Sequence, residues 1–159
     1  LYINDMIVEV EVVIRGSKEA IWGVITNVDG FVDTKSAVDE IEVIERPDTG
    51  LVGLKWKETR TMFGKSASEV MWVTEAEENK LFRTRAESHG AIYVTTWAIG
   101  GSGGESALSI TLDGSGASFL MKLLSAPVGR LFKGVTKKAI LGDLNDIKAV
   151  VEGSQPSAE

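Results

Sequence analysis

The sequence has no cysteine, a single histidine and only three prolines in 159 residues. Without thiols there is no disulfide framework, no cysteine nucleophile and no sulfur-bound zinc, and His89 alone cannot build a histidine metal cluster. No apolar run approaches the ~20 residues that a membrane-spanning helix requires. The opening Leu1-Tyr2-Ile3-Asn4-Asp5 lacks the basic start and apolar middle of a secretory signal, so a cytoplasmic place is expected. Basic residues are the minority: 17 Lys and Arg stand against 23 Asp and Glu, a formal charge of -6. That balance repels a polyanion and argues against nucleic acid as a partner. What remains is a globular composition, 43% hydrophobic and 25% charged. It reads as one domain over residues 1–152, large enough to bury a sizeable core, with a fraying tail at 153–159.

From Ile7 to Arg15 apolar and charged residues alternate, with Val8, Val10, Val12 and Ile14 on one side, the period of a half-buried strand. After Gly16, Ser17 can cap a helix whose Ile21, Val24, Ile25 and Val28 share a face. Six more strands follow at about 38–46, 52–63, 66–75, 80–89, 92–99 and 106–113, separated by polar or glycine-bearing connections of hairpin length. From Ser118 to Glu152 the period turns helical through Leu120, Leu124, Leu131, Val135, Leu144, Ile147 and Val151. Pro127 is expected to break that stretch and leave a main helix from about 128 to 152. This order is α+β rather than alternating βαβ. The expected fold is a curved seven-stranded antiparallel sheet wrapped around a long C-terminal helix, a helix-grip, with short helices after strand 1.

Three stretches carry a resemblance: Ser17-Lys18-Glu19-Ala20-Ile21-Trp22, then Gly53-Leu54-Lys55-Trp56-Lys57-Glu58-Thr59-Arg60-Thr61-Met62-Phe63-Gly64, then Glu87-Ser88-His89-Gly90, followed by the terminal amphipathic helix. Together they resemble the polyketide cyclase/dehydrase branch of the START-like (SRPBCC) superfamily, over about residues 6–152. The resemblance implies a deep hydrophobic cavity for lipids, polyketides or other apolar molecules. It implies no single activity, and the branch has no universal catalytic motif to carry over.

Strand periodicity selects the candidate site. On the third strand Trp56, Glu58, Arg60 and Met62 share a face opposite Lys55, Lys57, Thr59 and Thr61; the lysines belong in water, so the first set turns inward. A two-residue turn at Gly64-Lys65 pairs Phe63 with Ser66, Arg60 with Glu69 and Glu58 with Met71, making an inward Glu-Arg-Glu cluster. A turn at Gly90-Ala91 pairs Ser88 with Tyr93, Ala86 with Thr95, Thr84 with Trp97 and Phe82 with Ile99. The expected ligand-binding wall is therefore Trp56, Glu58, Arg60, Met62, Glu69, Met71, Phe82, Thr84, Ser88, Tyr93, Thr95 and Trp97. Glu58 and Tyr93 are the candidates for proton transfer, which requires a carboxyl with raised pKa. The competing reading is structural: the charges brace the sheet, and Trp56, Phe82 and Trp97 are core. On this register His89 borders the turn and faces away from the wall.

No cofactor or metal is called for. Gly100-Gly101-Ser102-Gly103-Gly104 has the spacing of a nucleophile elbow, but no helix follows and the only histidine is upstream. Gly64-Lys65-Ser66 ends like a phosphate loop, with Thr59 where the first glycine is required. Glu75, Glu77 and Glu78 lack calcium-loop spacing. On the last helix Arg130, Lys133 and Lys137 share a side, either solvated or suited to transient contact with an anionic membrane. The sequence thus points first to a carrier of a small hydrophobic ligand oriented by Arg60 and Glu58, second to a cyclase or dehydratase acting on an enclosed substrate, and third to a protein-interaction module. It does not fix the oligomeric state.

Overall fold

Alternating apolar and charged residues carry β1 from Met6 to Arg15, and the buried Gly16 turns the chain into α1 (Lys18–Ile25). The computed structural model describes residues 6–62, 64–116 and 126–153. Ser17 caps α1, its hydroxyl accepting from the Ala20 N–H at 3.1 Å, and Ile21 and Ile25 are fully buried. A 3-10 turn (Val28–Gly30) and α2 (Phe31–Thr34) follow and bury Val28 and Phe31. The meander is β2 (Val38–Glu45), β3 (Lys55–Met62), β4 (Lys65–Glu77), β5 (Leu81–Ser88), β6 (Ala91–Gly100) and β7 (Glu105–Ser115). All neighbours are antiparallel in the order β1-β7-β6-β5-β4-β3-β2. The expected helix-grip is therefore present.

Three irregularities give the sheet its curl. The register shifts between Val73 and Glu75 in β4, and between Val38 and Glu40 and between Val43 and Glu45 in β2. An extra residue in one strand bends it and increases its twist. The concave side holds α3 (Ala126–Gly153), whose 28 residues span about 42 Å. It packs against β1, α1 and α2. Pro127 lies in its first turn, where a missing N–H breaks no helical hydrogen bond, so it begins α3 rather than kinking it. Leu120 and Leu124 lie outside the described residues. Leu144, Ile147 and Val151 are fully buried as expected, but Leu131 is 69% exposed and leaves the apolar stripe. No described helix is long and apolar enough to cross a membrane.

The hairpin partners differ from the sequence expectation, in the same way twice. Met62 pairs with Lys65, which brings Ser66 opposite Thr61, Arg60 opposite Ala67, Glu58 opposite Glu69 and Trp56 opposite Met71; Phe63 lies outside the described residues. In the β5–β6 hairpin Ser88 pairs with Ala91, Ala86 with Tyr93, Thr84 with Thr95 and Phe82 with Trp97, so His89 is within the turn and not beside it. His89 (φ 50) and Gly90 (φ 80) are both left-handed, the two-residue turn that matches strand twist, and it seats its glycine second. Placing the glycine first displaced each ladder by two residues. An even displacement changes every partner and no face, so the inward sets were assigned correctly.

Candidate functional site

The inward face of β3 carries Trp56, Glu58 and Arg60 side by side, and α3 delivers Asp143 against them. Arg60 Nε donates to Glu58 Oε2 at 2.6 Å, while Nη1 and Nη2 donate to Asp143 Oδ1 and Oδ2 at 3.1 and 2.6 Å. Glu58 and Asp143 are buried, and the Arg60 side chain keeps 20% of its exposure. A two-toothed guanidinium–carboxylate contact in such surroundings is strong and directional. It ties the middle of α3 to the sheet.

Lys35, at the end of α2, is buried beside this group. Its ammonium lies 3.7 Å from the centroid of the Phe31 ring and 4.7 Å from that of Trp97. Burial pulls its proton affinity down and Arg60 adds to that, against the opposing fields of Asp143 and Glu58. For Glu58, burial alone would raise the pKa. The charge of Lys35, then the charge and hydrogen bond of Arg60, outweigh it and hold the carboxyl below the usual carboxylate range. The Trp56 indole N–H adds to this from a position short of full hydrogen-bond geometry, and is otherwise unpartnered. For Arg60 too, burial opposes the outcome: the hydrogen bonds and charges of Asp143 and Glu58 raise its pKa.

Glu69, across the ladder from Glu58, behaves oppositely. It is half-buried, and desolvation followed by repulsion from Glu58 pushes its carboxyl up. Desolvation, then Glu69, pushes the Tyr93 phenol up as well. Of the carboxyls on this face Glu69 is therefore the one pushed up, while its cations hold Glu58 down. Arg60 pairs with Glu58 and Asp143, and its charge reaches Glu69 only through space, so the expected Glu-Arg-Glu cluster is instead Glu58-Arg60-Asp143.

The other expected wall residues divide into two groups. Trp56, Phe82, Thr84 and Trp97 are buried. Phe82 stacks on Trp97 at 5.7 Å and meets the edge of Trp22 at 6.0 Å, while Phe31 meets Trp56 edge-on at 6.3 Å. Glu69, Met71, Tyr93 and Thr95 face the same concave side yet stay half-buried. Met62 and Ser88 stand beside the hairpin turns and are exposed. The sequence reading missed Lys35 and Asp143. Asp143 had a signal, since it lies four residues before Ile147 and eight before Val151, on the buried stripe. Lys35 had none, because four residues of helix carry no period. Among the described residues no group of three His, Asp or Glu is placed to hold a metal ion.

Comparison with known proteins gives a family and a fold. The family described as polyketide cyclase/dehydrase and lipid transport matches residues 6–152. No curated protein matches. Among solved structures, a Thermus thermophilus protein is similar at TM-score 0.78 and 15% identity, over 95% of this chain and 100% of that one. A START superfamily protein from Mycobacterium smegmatis is similar at TM-score 0.78 and 16% identity, over 94% and 99% of the two chains. The Zhui aromatase/cyclase from a Streptomyces species is similar at TM-score 0.78 and 14% identity, over 92% and 93%. At such identities the likeness is one of fold.

Proposed function

Because the chain belongs to the polyketide cyclase/dehydrase and lipid transport family over residues 6–152, we propose that it binds a small hydrophobic ligand, lipid-like or polyketide-like, between the concave sheet and α3, in the cytoplasm. One observation carries this reading. Val10, Met71, Tyr93, Thr95 and Leu112 point to the concave side and stay half-buried, while their neighbours Trp97, Ile110 and Val8 on the same faces are buried. Apolar walls with a few polar groups suit a small-molecule site. Arg60 and Glu58 serve there as the brace that sets the position of α3, and Glu69 and Tyr93 face the ligand's polar part.

Native mass spectrometry of freshly purified protein, paired with titration by an apolar fluorophore such as N-phenylnaphthylamine, tests this. A co-purified apolar compound or a saturable one-to-one response is the expected result. Absence of both overturns it.

The raised carboxyl of Glu69 beside Tyr93 favours a second reading, a cyclase or dehydratase in which Glu69 moves a proton on an enclosed polyketide-like substrate. Turnover that Glu69→Gln abolishes while fluorophore binding persists would support it. Ligand exchange at an anionic membrane surface is part of the carrier reading: Arg130, Lys133 and Lys137 are all exposed on α3.

A further inference from the structure

Away from the hairpin turns, the only charged side chains on the inward faces of the seven strands are Glu58, Arg60 and Glu69. Lys65 shares the face but is exposed beside a turn, four residues along β4 from Glu69. Glu58 and Arg60 are engaged with each other, and Arg60 with Asp143 of α3. Glu69 is different. Among the described residues it takes part in no ion pair or hydrogen bond, and Arg60, the cation whose field reaches it, is already shared by two carboxylates. Lys35 is packed against Phe31 and Trp97 and acts on Glu58 instead. The position of Glu69 also makes it reachable. It is half-buried, and the β4–β5 ladder ends at Met71 and Ala86, so Glu69 and Val70 have no partner in β5 although that strand runs on to Ser88. Its inward neighbours are half-buried too: Met71 two residues along β4, and Tyr93, opposite Ala86, in a partly buried apolar group with Leu112 and Phe132.

We propose that the ligand carries a protonated amine on an apolar body, and that Glu69 is the residue that selects it. The inference rests on the ligand-binding reading above and adds the ligand's charge. A carboxylate, an aromatic ring and an apolar wall together suit an ammonium on a hydrocarbon body: the carboxylate accepts a charge-assisted hydrogen bond, and a ring attracts a cation through its negative face. Other head groups fare worse. Glu58, Glu69 and Asp143 outnumber Arg60 and Lys35 around the concave side, so an incoming carboxylate or phosphate is repelled. A neutral hydroxyl would leave Glu69 without a countercharge. Burial and the charge of Glu58 both disfavour the ionised form of Glu69, and an ammonium beside it offsets the two together.

The test is displacement of the neutral fluorophore N-phenylnaphthylamine from the whole chain, at pH 8 and physiological salt, by octylamine, octanol and octanoate, which differ in head group alone. Octylamine should displace it at a concentration ~10-fold lower than octanol, as one charge-assisted hydrogen bond allows, and octanoate should be the weakest. Glu69→Gln should bring the amine to the level of the alcohol. Glu69→Lys should reverse the order, so that octanoate displaces best. Equal displacement of the parent by amine and alcohol, or an amine preference that survives Glu69→Gln, overturns the selection by Glu69 and leaves the binding reading standing. Absence of fluorophore binding, with no saturable response of tryptophan fluorescence to any of the three compounds, overturns both.

Discussion

The two halves of the grip are built from the same strands and packed to different degrees. Toward α1 and α2 a single cluster unites Ile14, Ile21, Ile25, Phe31, Trp56, Phe82, Trp97, Leu108, Leu144, Ile147 and Val151, every one buried. Toward the hairpin turns and the first half of α3 the buried cluster, among the described residues, is Val8 and Ala91, with Val10, Tyr93, Leu112, Phe132 and Ile140 partly buried against it. In this second half the polar Thr95 and Glu69 share the inward face with Tyr93 and Leu112, and all four stay half-buried. The first half is the one whose described residues are fully buried, and the proposed ligand site lies in the second.

The sharpest way to break this comparison is truncation in each half. Phe82→Ala should destabilise by ~3–5 kcal/mol, as for other large aromatic deletions in cores. Thr95→Ala, two residues along the inward face from Trp97, should remain below ~1 kcal/mol. Equal losses in urea denaturation would show that the halves are alike.

Asp143→Ala probes the tie between them. It strands Arg60 in a buried setting, for which ~3–5 kcal/mol is typical; the fifth of Arg60 that stays in water, 20% by side chain, reduces the expectation to about 2–3 kcal/mol. Arg60→Met combined with Asp143→Leu should recover most of the loss, and a double variant as unstable as the single one would sink the brace.

A smaller effect comes from Glu69. Its folded-state pKa is raised, so its favourable contribution is complete below the unfolded value of ~4.3 and disappears as pH rises through the folded value. Glu69→Gln should therefore gain stability over the parent between pH 4 and pH 7, while Glu58→Gln, at a carboxyl held low, should lose it over the same interval. Urea midpoints at the two pH values decide the signs. The smallest effect belongs outside both halves: joint reversal of Arg130, Lys133 and Lys137 to Glu should move stability by less than ~0.5 kcal/mol yet abolish flotation with phosphatidylserine vesicles. Flotation that persists after reversal removes these residues from any membrane contact.

Much of this division was legible in the sequence, and the illegible part has a physical reason. Period-two alternation fixes which face a residue occupies, so Trp56, Glu58, Thr84 and Trp97 were placed inward correctly. It says nothing of the partner, which depends on where the turn sits its left-handed residues; His89 and Gly90 settle that by backbone geometry. Asp143 was readable as a charge on an apolar stripe, but strand alternation points only to partners within Arg60's own hairpin and never to a helix 83 residues away. Lys35 was not readable, since the rings that enclose it come from Phe31 nearby and Trp97 far along the chain. The charge roles of Glu58 and Glu69 followed the same rule: both are inward carboxyls, and only the three-dimensional arrangement of cations tells them apart.

The last turns of α3 have a further task. Lys148 Nζ donates to Val13 O at 2.5 Å, and Glu152 Oε1 accepts from the Arg15 N–H at 3.0 Å, so helix side chains occupy polar backbone groups along the free margin of β1. Strand margins left bare recruit other strands. Any guest large enough to lever this helix outward would free those backbone groups on a strand whose other face already leaves Ile7 and Val13 53% and 50% exposed. Self-association through β1 therefore sets an upper limit on how far the grip can open and still remain a monodisperse protein.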